Sequence, residues 1–237
     1  MKILNLIVVV LVIAAGLFYF LRSRTSPKPD KPEFSEEEYN RHAEAKEAAL
    51  ERILGPMHDM VGHAIIPFAV GGAVDMYYFP KAIPGTGFAT MELIEPDGTG
   101  PKPNRTGTYE LVAFTRHTIP SPADRSEEHP FNRIERRICG IFTQIGHYSS
   151  EAVLNPGETC EVPGKEGEPN TCLLFDEYAP GGRSFDIGGK KHGLLLVIEV
   201  FRSEMEHAMK HGSAAVLAKL KEAGHYPYSD LDRKPVY

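Results

Sequence analysis

Apolar residues along this chain of 237 residues follow several spacings, and each spacing predicts a different element. The first run, residues 3–21, is apolar except for Asn5 and Tyr19 and has neither helical nor strand periodicity. Its 19 residues come close to the roughly 20 that a helix needs to cross a hydrocarbon core of about 30 Å. We therefore predict a transmembrane anchor in residues 1–22, followed by a stiff proline-rich linker in residues 23–34.

The same segment indicates how the chain is processed and oriented. Small residues at Ala14-Ala15-Gly16 leave a cleaved signal peptide as the alternative, but the apolar run continues past them and favours an uncleaved anchor. Lys2 precedes the run, whereas four cations follow it, so the positive-inside rule predicts a single-pass protein of the cell membrane with a cytoplasmic domain. A short amino terminus carrying Lys2 also suits the opposite orientation. The four cations are Arg22, Arg24, Lys28 and Lys31.

Two later stretches have helical spacing. Ser35-Glu-Glu-Glu38 matches a capping box, Glu37 and Arg41 stand four residues apart, and Gly55-Pro56 stops a helix, so residues 36–54 are predicted to be helical. Apolar residues at intervals of three and four predict a second helix over about residues 128–146, with one buried face. These apolar residues are Phe131, Ile134, Ile138, Ile141, Phe142 and Ile145.

Strands are predicted where β-branched and aromatic residues cluster between glycines and prolines. An apolar strand at 194–201 ends the series, and the capping pattern Ser203-Glu-Met-Glu206 opens two closing helical runs, the second at 214–223. Together the elements predict one mixed α/β domain of the α+β kind over residues 35–237, with a central mixed sheet flanked by helices. The earlier strands are residues 74–79, 88–94 and 108–115. An irregular segment at 155–171 and the short apolar run 172–175 after it predict mobile loops and a strand edge.

Composition and charge narrow the classes of function. With 42% hydrophobic residues the chain can bury a sizeable core, which excludes disorder throughout. Without the first 32 residues, 21 basic and 31 acidic residues remain, a net charge of −10. A domain this acidic repels phosphate backbones, so we expect no nucleic-acid partner and a preference for a basic protein.

The order of the predicted elements is similar to that of one known family. The residues that carry the similarity are Val74-Asp-Met-Tyr-Tyr-Phe-Pro80, Gly87-Phe-Ala-Thr-Met91, Tyr109-Glu-Leu-Val-Ala-Phe114, residues 138–157, and Glu204 to Gly212 followed by Leu217-x-x-Leu220. In this order they resemble the suppressor-of-fused domain. The resemblance implies a mixed α/β fold, no known catalytic activity, and protein binding as the role. Bacterial relatives are suspected immunity proteins, so the resemblance also implies a toxin as the partner.

Within that resemblance we name Asp75, Tyr77 and Glu110 as candidate partner-binding residues, because the strands that carry them are candidate contact elements. Asp75 stands within an apolar strand, where an unpaired charge is costly. A structural hydrogen-bond acceptor is therefore the alternative role for Asp75.

Ten histidines raise the alternative of a metal-dependent hydrolase. His58, Asp59 and His63 form one cluster, and His207 and His211 form another at a helical spacing of four. The second cluster lacks the glutamate of a His-Glu-x-x-His site and a third ligand. The chain has no Gly-x-Ser-x-Gly elbow either. We therefore predict a domain that is not an enzyme and holds no metal or other cofactor.

Three cysteines, none of them in a Cys-x-x-Cys unit, argue against a zinc ribbon. A bridge between Cys160 and Cys172 stays open if the domain lies outside the cytoplasm.

Overall fold

Four helices and eight strands make up the part of the chain that the structure describes. In this computed structural model that part is residues 34–237, except residues 122, 123, 125, 165, 166, 168, 183 and 184. The predicted anchor and nearly all of the predicted linker lie outside it. Among the described residues, no helix is both long and apolar enough to cross a membrane.

The helices and strands have the following bounds. The helices are α1 (Glu36–Leu54), α2 (Pro130–Ser149), α3 (Arg202–His211) and α4 (Ser213–Glu222). The strands are β1 (Val61–Gly62), β2 (Met76–Phe79), β3 (Thr86–Ala89), β4 (Tyr109–Thr115), β5 (Thr159–Val162), β6 (Thr171–Glu177), β7 (Phe185–Ile187) and β8 (Lys190–Val200).

The strands form one sheet in the order β1-β2-β3-β4-β8-β6-β5, with β7 paired to the start of β8. β4 and β8 run parallel, with Tyr109 opposite Gly193, and the other strand pairs of the described chain are antiparallel. The sheet is therefore mixed, as predicted. Its two edges are the short β1 and the four-residue β5.

Helices cover both faces of the sheet. On one face, called the α1 face here, α1, α3 and α4 bury apolar side chains that include Leu50, Met205 and Leu220. On the other, the α2 face, α2 buries its six predicted apolar residues, each at most 5% exposed. β4 is buried along its whole length because helices pack against both of its sides.

The two long helices agree with their predictions. α1 spans residues 36–54, and Arg41 lies 3.5 Å from Glu37. α2 begins at Pro130, close to the predicted start. Proline suits a first helical turn, and the Phe131 N–H donates to the His129 ring over 3.2 Å, which fixes this start.

Two predicted segments differ in the structure. β3 ends at Ala89 rather than at residue 94 because the Glu110 carboxylate accepts the N–H groups of Leu93 and Ile94 and draws the chain out of the sheet. β5 lies within the segment 155–171 that is predicted to be irregular, and it pairs with β6 over its whole length.

The capping pattern predicted at Ser203 is wrong. Ser203 lies inside α3, and its hydroxyl donates to the Tyr237 carbonyl over 2.7 Å. Glu204 caps the helix instead, since it accepts the Phe201 N–H over 2.9 Å. The same carboxylate binds the Arg233 guanidinium at 2.6 and 2.8 Å, so the cap also holds the carboxyl-terminal tail against α3.

A Cys160–Cys172 disulfide is excluded by the sheet. β5 and β6 place Cys160 opposite Leu173 and Cys172 opposite Glu161, so the two cysteine side chains point to opposite faces. Cys160 packs on the α2 face and Cys172 on the α1 face. Both are free thiols.

Candidate functional site

The predicted contact residue Glu110 lies inside the domain. Its side chain has no exposed area. The carboxylate accepts the Thr90 hydroxyl (2.7 Å) and the N–H groups of Leu93 (3.2 Å) and Ile94 (3.0 Å). Lys46 Nζ, from α1, lies 3.1 Å from Glu110 Oε1 and donates to two carbonyls of the loop after β3, each over 2.6 Å. Glu110 therefore ties α1 and that loop to β4 and has no surface to offer to a partner.

Asp75, directly before β2, anchors the loop between β1 and β2. It accepts a hydrogen bond from His63 Nδ1 (2.7 Å) and another from the Ala64 N–H (2.8 Å), and its own N–H donates to the Glu92 carboxylate (2.8 Å). Burial raises the pKa of Glu92. Asp75 is 17% exposed. Its observed role is that of a structural acceptor, and a partner contact at Asp75 stays a prediction.

Tyr77 is half-buried on β2, opposite Ala89 on β3, and packs on the α1 face. Burial, with a smaller contribution from the Asp75 charge, raises the pKa of its hydroxyl to about 12. Asp75, Tyr77 and Glu110 thus lie at the same end of the sheet, where β2 and β4 begin. They form no common surface, since Glu110 is enclosed and Asp75 is bound by its own loop.

The first histidine cluster does not form a metal centre. His58 Nδ1 accepts the Met60 N–H over 3.0 Å in a local turn, and His63 is bound to Asp75 rather than to Asp59. Within the described residues, no group of three His, Cys, Asp or Glu side chains could hold a metal ion. The structure therefore does not bring His58, Asp59 and His63 together as one site.

The second histidine cluster is a ring stack on the surface of α3. The ring centroids of His207 and His211 are 4.5 Å apart, and the Tyr237 ring stacks on His207 at 3.6 Å. These contacts pack the carboxyl-terminal residue onto the helix.

A groove of about 700 Å³ lies on the α2 face at the far edge of the sheet. One wall is the last turns of α2, with Gln144, Ile145, His147 and Tyr148, and the other is the edge strand, residues 159–163. We call it the β5 groove. Tyr148 is 48% exposed although it lies on the apolar side of α2. The groove therefore offers an apolar surface to solvent.

The β5 groove runs along a strand that has a neighbour on one side. β5 is the last strand in the sheet order and pairs with β6. Cys160 and Val162 face the α2 side, and burial raises the pKa of the Cys160 thiol, so these two residues give the groove wall an apolar part. Glu161 faces the other way and binds Arg202 over 2.5 Å. The Glu161–Arg202 ion pair thus fixes β5 on the face turned away from the groove, while the face toward the groove is open to solvent.

The sequence patterns do not predict this groove. One signal was present, because Tyr148 continues the spacing of Ile138, Ile141 and Ile145 along α2. That spacing predicts burial, and only the position of β5 shows that the sheet ends before it covers Tyr148.

Fold and groove together define a mixed α+β domain with an open sheet edge, an architecture suited to binding another chain. Its particular fold is that of suppressor of fused. A chain of the Sufu–Fu complex crystal structure aligns over 82% of this chain and 92% of that chain, with a TM-score of 0.56 and 15% sequence identity. Drosophila Suppressor of Fused aligns over 69% of this chain and 42% of that chain, with a TM-score of 0.48 and 17% identity.

At 15% identity the likeness shows the fold alone. No protein-family model matches the chain, and no curated protein matches its sequence. The fold implied by the order of the sequence elements is therefore confirmed, and the function has to be argued from the domain's own surface.

Proposed function

We propose that this domain binds another protein, and that an extended segment of the partner occupies the β5 groove. The observation that carries the proposal is the groove itself, a partly apolar channel beside an edge strand. An edge strand presents unpaired backbone N–H and C=O groups, to which an extended peptide can add as a further strand. Alternate side chains of a strand point to one face. Every second residue of the bound segment would therefore enter the groove.

Charge and fold support the same role. The net charge of −10 that remains after the first 32 residues favours a basic partner, since opposite charge speeds encounter and disfavours acidic competitors. One solved structure with the same fold is that of a complex of Sufu with Fu. Binding by occlusion of a partner's surface needs no cofactor and no catalytic group.

The proposal includes the membrane anchor. Residues 3–21 hold the chain in the cell membrane, and the cation balance around them places the domain in the cytoplasm. A reporter enzyme fused after Tyr237 tests this orientation, because it should be active in the cytoplasm. Activity confined to the outside would contradict it.

Within this role, the domain acts as a bacterial immunity or regulatory protein, with a toxin as the candidate partner. Inhibition by occlusion and tethering of a partner to the membrane are distinguished by removing residues 1–32. An inhibitor should still neutralise its partner without them, whereas a tether should lose its effect.

A photo-crosslinking experiment tests the binding site. The full chain, carrying benzoylphenylalanine in place of Tyr148, is irradiated in its own cells, and any crosslinked protein is identified and purified for direct binding. The matched control carries the same group in place of Met209, which is 70% exposed on α3. We expect a crosslink from position 148 alone. Equal crosslinks from both positions, or none from position 148, would contradict the proposed site.

A further inference from the structure

The loop between β1 and β2 contains a stretch without a single polar side chain. Residues 64–74 read Ala-Ile-Ile-Pro-Phe-Ala-Val-Gly-Gly-Ala-Val. Within it Ile65 is 100% exposed, Ile66 59% and Val70 75%. We call these three side chains the apolar tip. They are large aliphatic side chains, and a group of such side chains exposed together marks a site of contact with another protein or with a membrane.

Three backbone hydrogen bonds close residues 67–72 of the loop into a turn. The N–H groups of Val70 and Gly72 both donate to the Pro67 carbonyl, and the Gly71 N–H donates to the Phe68 carbonyl. Gly72 is required at its position, because a Cβ there would lie 1.7 Å from the Ile66 carbonyl oxygen. Backbone groups bonded in this way are already satisfied where water is absent, as entry into a hydrocarbon environment requires.

The base of the loop is fastened to α2. The Phe68 ring stacks on His147 with centroids 4.3 Å apart, and His147 Nε2 lies 2.9 Å from the Gly72 carbonyl oxygen. The Val74 N–H donates to Thr143 Oγ1 over 3.2 Å. The apolar tip therefore stands on a fixed base.

The apolar tip and the start of α1 lie at the same end of the sheet. The loop leads into the start of β2, which pairs with the end of β3. His42, in the second turn of α1, contacts the Ile94 carbonyl just beyond β3 (3.0 Å), whereas Gly55, after α1, approaches Lys81 beyond the end of β2. The chain that would lead from a membrane anchor therefore enters the domain at the end that carries the tip.

We propose that the apolar tip inserts into the surface of the lipid bilayer that holds residues 3–21, an inference that rests on the proposed membrane anchor. Three aliphatic side chains bind a bilayer only weakly by themselves. A linker of about 12 proline-rich residues spans about 40 Å at most, so it keeps the apolar tip at a high local concentration beside the bilayer. A lipid surface fits the loop better than a protein does, because a run of eleven residues without a polar side chain offers no side-chain hydrogen bond for specific recognition. Since Glu36–Glu38 open α1 at the same end, neutral lipid suits this end better than anionic lipid.

The chain contains no tryptophan, so a single substitution gives a clean probe. The full chain with Ile65→Trp is reconstituted into phosphatidylcholine vesicles, with Met209→Trp as the matched control. Met209 lies on α3, on the opposite face of the sheet from Phe68. With brominated phosphatidylcholine, we expect quenching of the tryptophan at 65 to exceed that at 209 by roughly twofold or more, with blue-shifted emission, as for a side chain within the headgroup and acyl boundary.

Flotation of the same vesicles separates the two proposals. If the chain floats with the vesicles, the proposed anchor is supported. If the tryptophan at 65 is then quenched by iodide in the water but not by brominated lipid, the proposed insertion of the apolar tip is overturned. The tip would then be free or held by a protein. If the chain does not float, the anchor fails, and the tip inference fails with it.

Discussion

Glu110 and Glu199 occupy similar places on opposite faces of the sheet, yet they are bound very differently. Each is a buried glutamate on a central strand with a cation from the helix that covers its face. Lys46 Nζ of α1 lies 3.1 Å from Glu110, and Arg137 Nε of α2 lies 2.7 Å from Glu199. An ion pair to a buried glutamate thus joins each long helix to the sheet.

The difference lies in what else binds each carboxylate. Glu110 accepts three further hydrogen bonds, and Lys46 is 3% exposed. Glu199 depends on Arg137, which is 43% exposed and lies 2.7 Å from the Glu199 oxygen. Burial outweighs this partner and raises the pKa of Glu199 to about 7. α1 is therefore fastened to the sheet more firmly than α2, the helix that forms a wall of the β5 groove.

The largest predicted effect comes from removing each cation in turn. Lys46→Met leaves the Glu110 charge enclosed without its cation, which should lower the free energy of unfolding by about 3–5 kcal/mol. Arg137→Met should cost about 1 kcal/mol, because half-exposed ion pairs contribute little. Urea unfolding at pH 7 measures both, with Lys219→Met in the exposed Lys219–Glu222 pair as control. Equal losses in the free energy of unfolding for Lys46→Met and Arg137→Met would contradict the firmer attachment of α1.

The second prediction concerns the pH dependence on the Glu199 side. Its folded pKa of about 7 lies above the ordinary 4.5, so the folded state holds the proton more tightly. That contribution, on the order of 3 kcal/mol, is fully present below pH 4.5 and is lost as the pH rises through 7. Glu199→Gln should therefore flatten stability between pH 4.5 and 8 and be more stable than the wild type at pH 8. The control is Glu206→Gln, on the exposed surface of α3. The prediction would be contradicted if the free energy of unfolding of Glu199→Gln changed with pH as steeply as that of the wild type.

The third prediction concerns a carboxylate nearer the surface, where a moderate loss of stability is expected. Asp75→Ala leaves His63 and the Ala64 N–H without their acceptor and should cost about 1–3 kcal/mol. Hydrogen exchange of residues 64–74 should speed up, because the loop loses one of its fastenings. The control is Asp59→Ala, which removes an exposed carboxylate that lies just before β1 and should change neither quantity. Unchanged exchange in Asp75→Ala would show that α2 alone holds the loop.

Local patterns predicted much of the fold. Capping residues and a proline gave α1 its bounds, and the spacing of Phe131 to Ile145 predicted the buried face of α2, because a helix signals itself within one stretch of chain. The shared order of elements predicted the suppressor-of-fused fold. The Ser203 pattern failed because Glu204, held by Arg233 from the distant tail, supplies the cap.

The proposed binding surface was much harder to predict. A carboxylate in an apolar strand suggests function, but Glu110 is occupied by Lys46 and by a loop that no local pattern places beside it. The β5 groove depends on where the sheet ends, and that follows from pairing between β5 and β6 across a loop rich in glycine and proline. Such long-range pairing leaves almost no trace in either segment alone.

The affinity of the purified partner for groove variants shows whether the β5 groove is the binding site. Tyr148→Asp puts a charge into the β5 groove at an exposed position, so it should weaken partner binding by roughly tenfold or more while changing the free energy of unfolding by less than about 0.5 kcal/mol. Met209→Asp should leave the affinity unchanged. A partner that binds the Tyr148→Asp protein as tightly as the wild type would contradict the assignment of the β5 groove as the binding site.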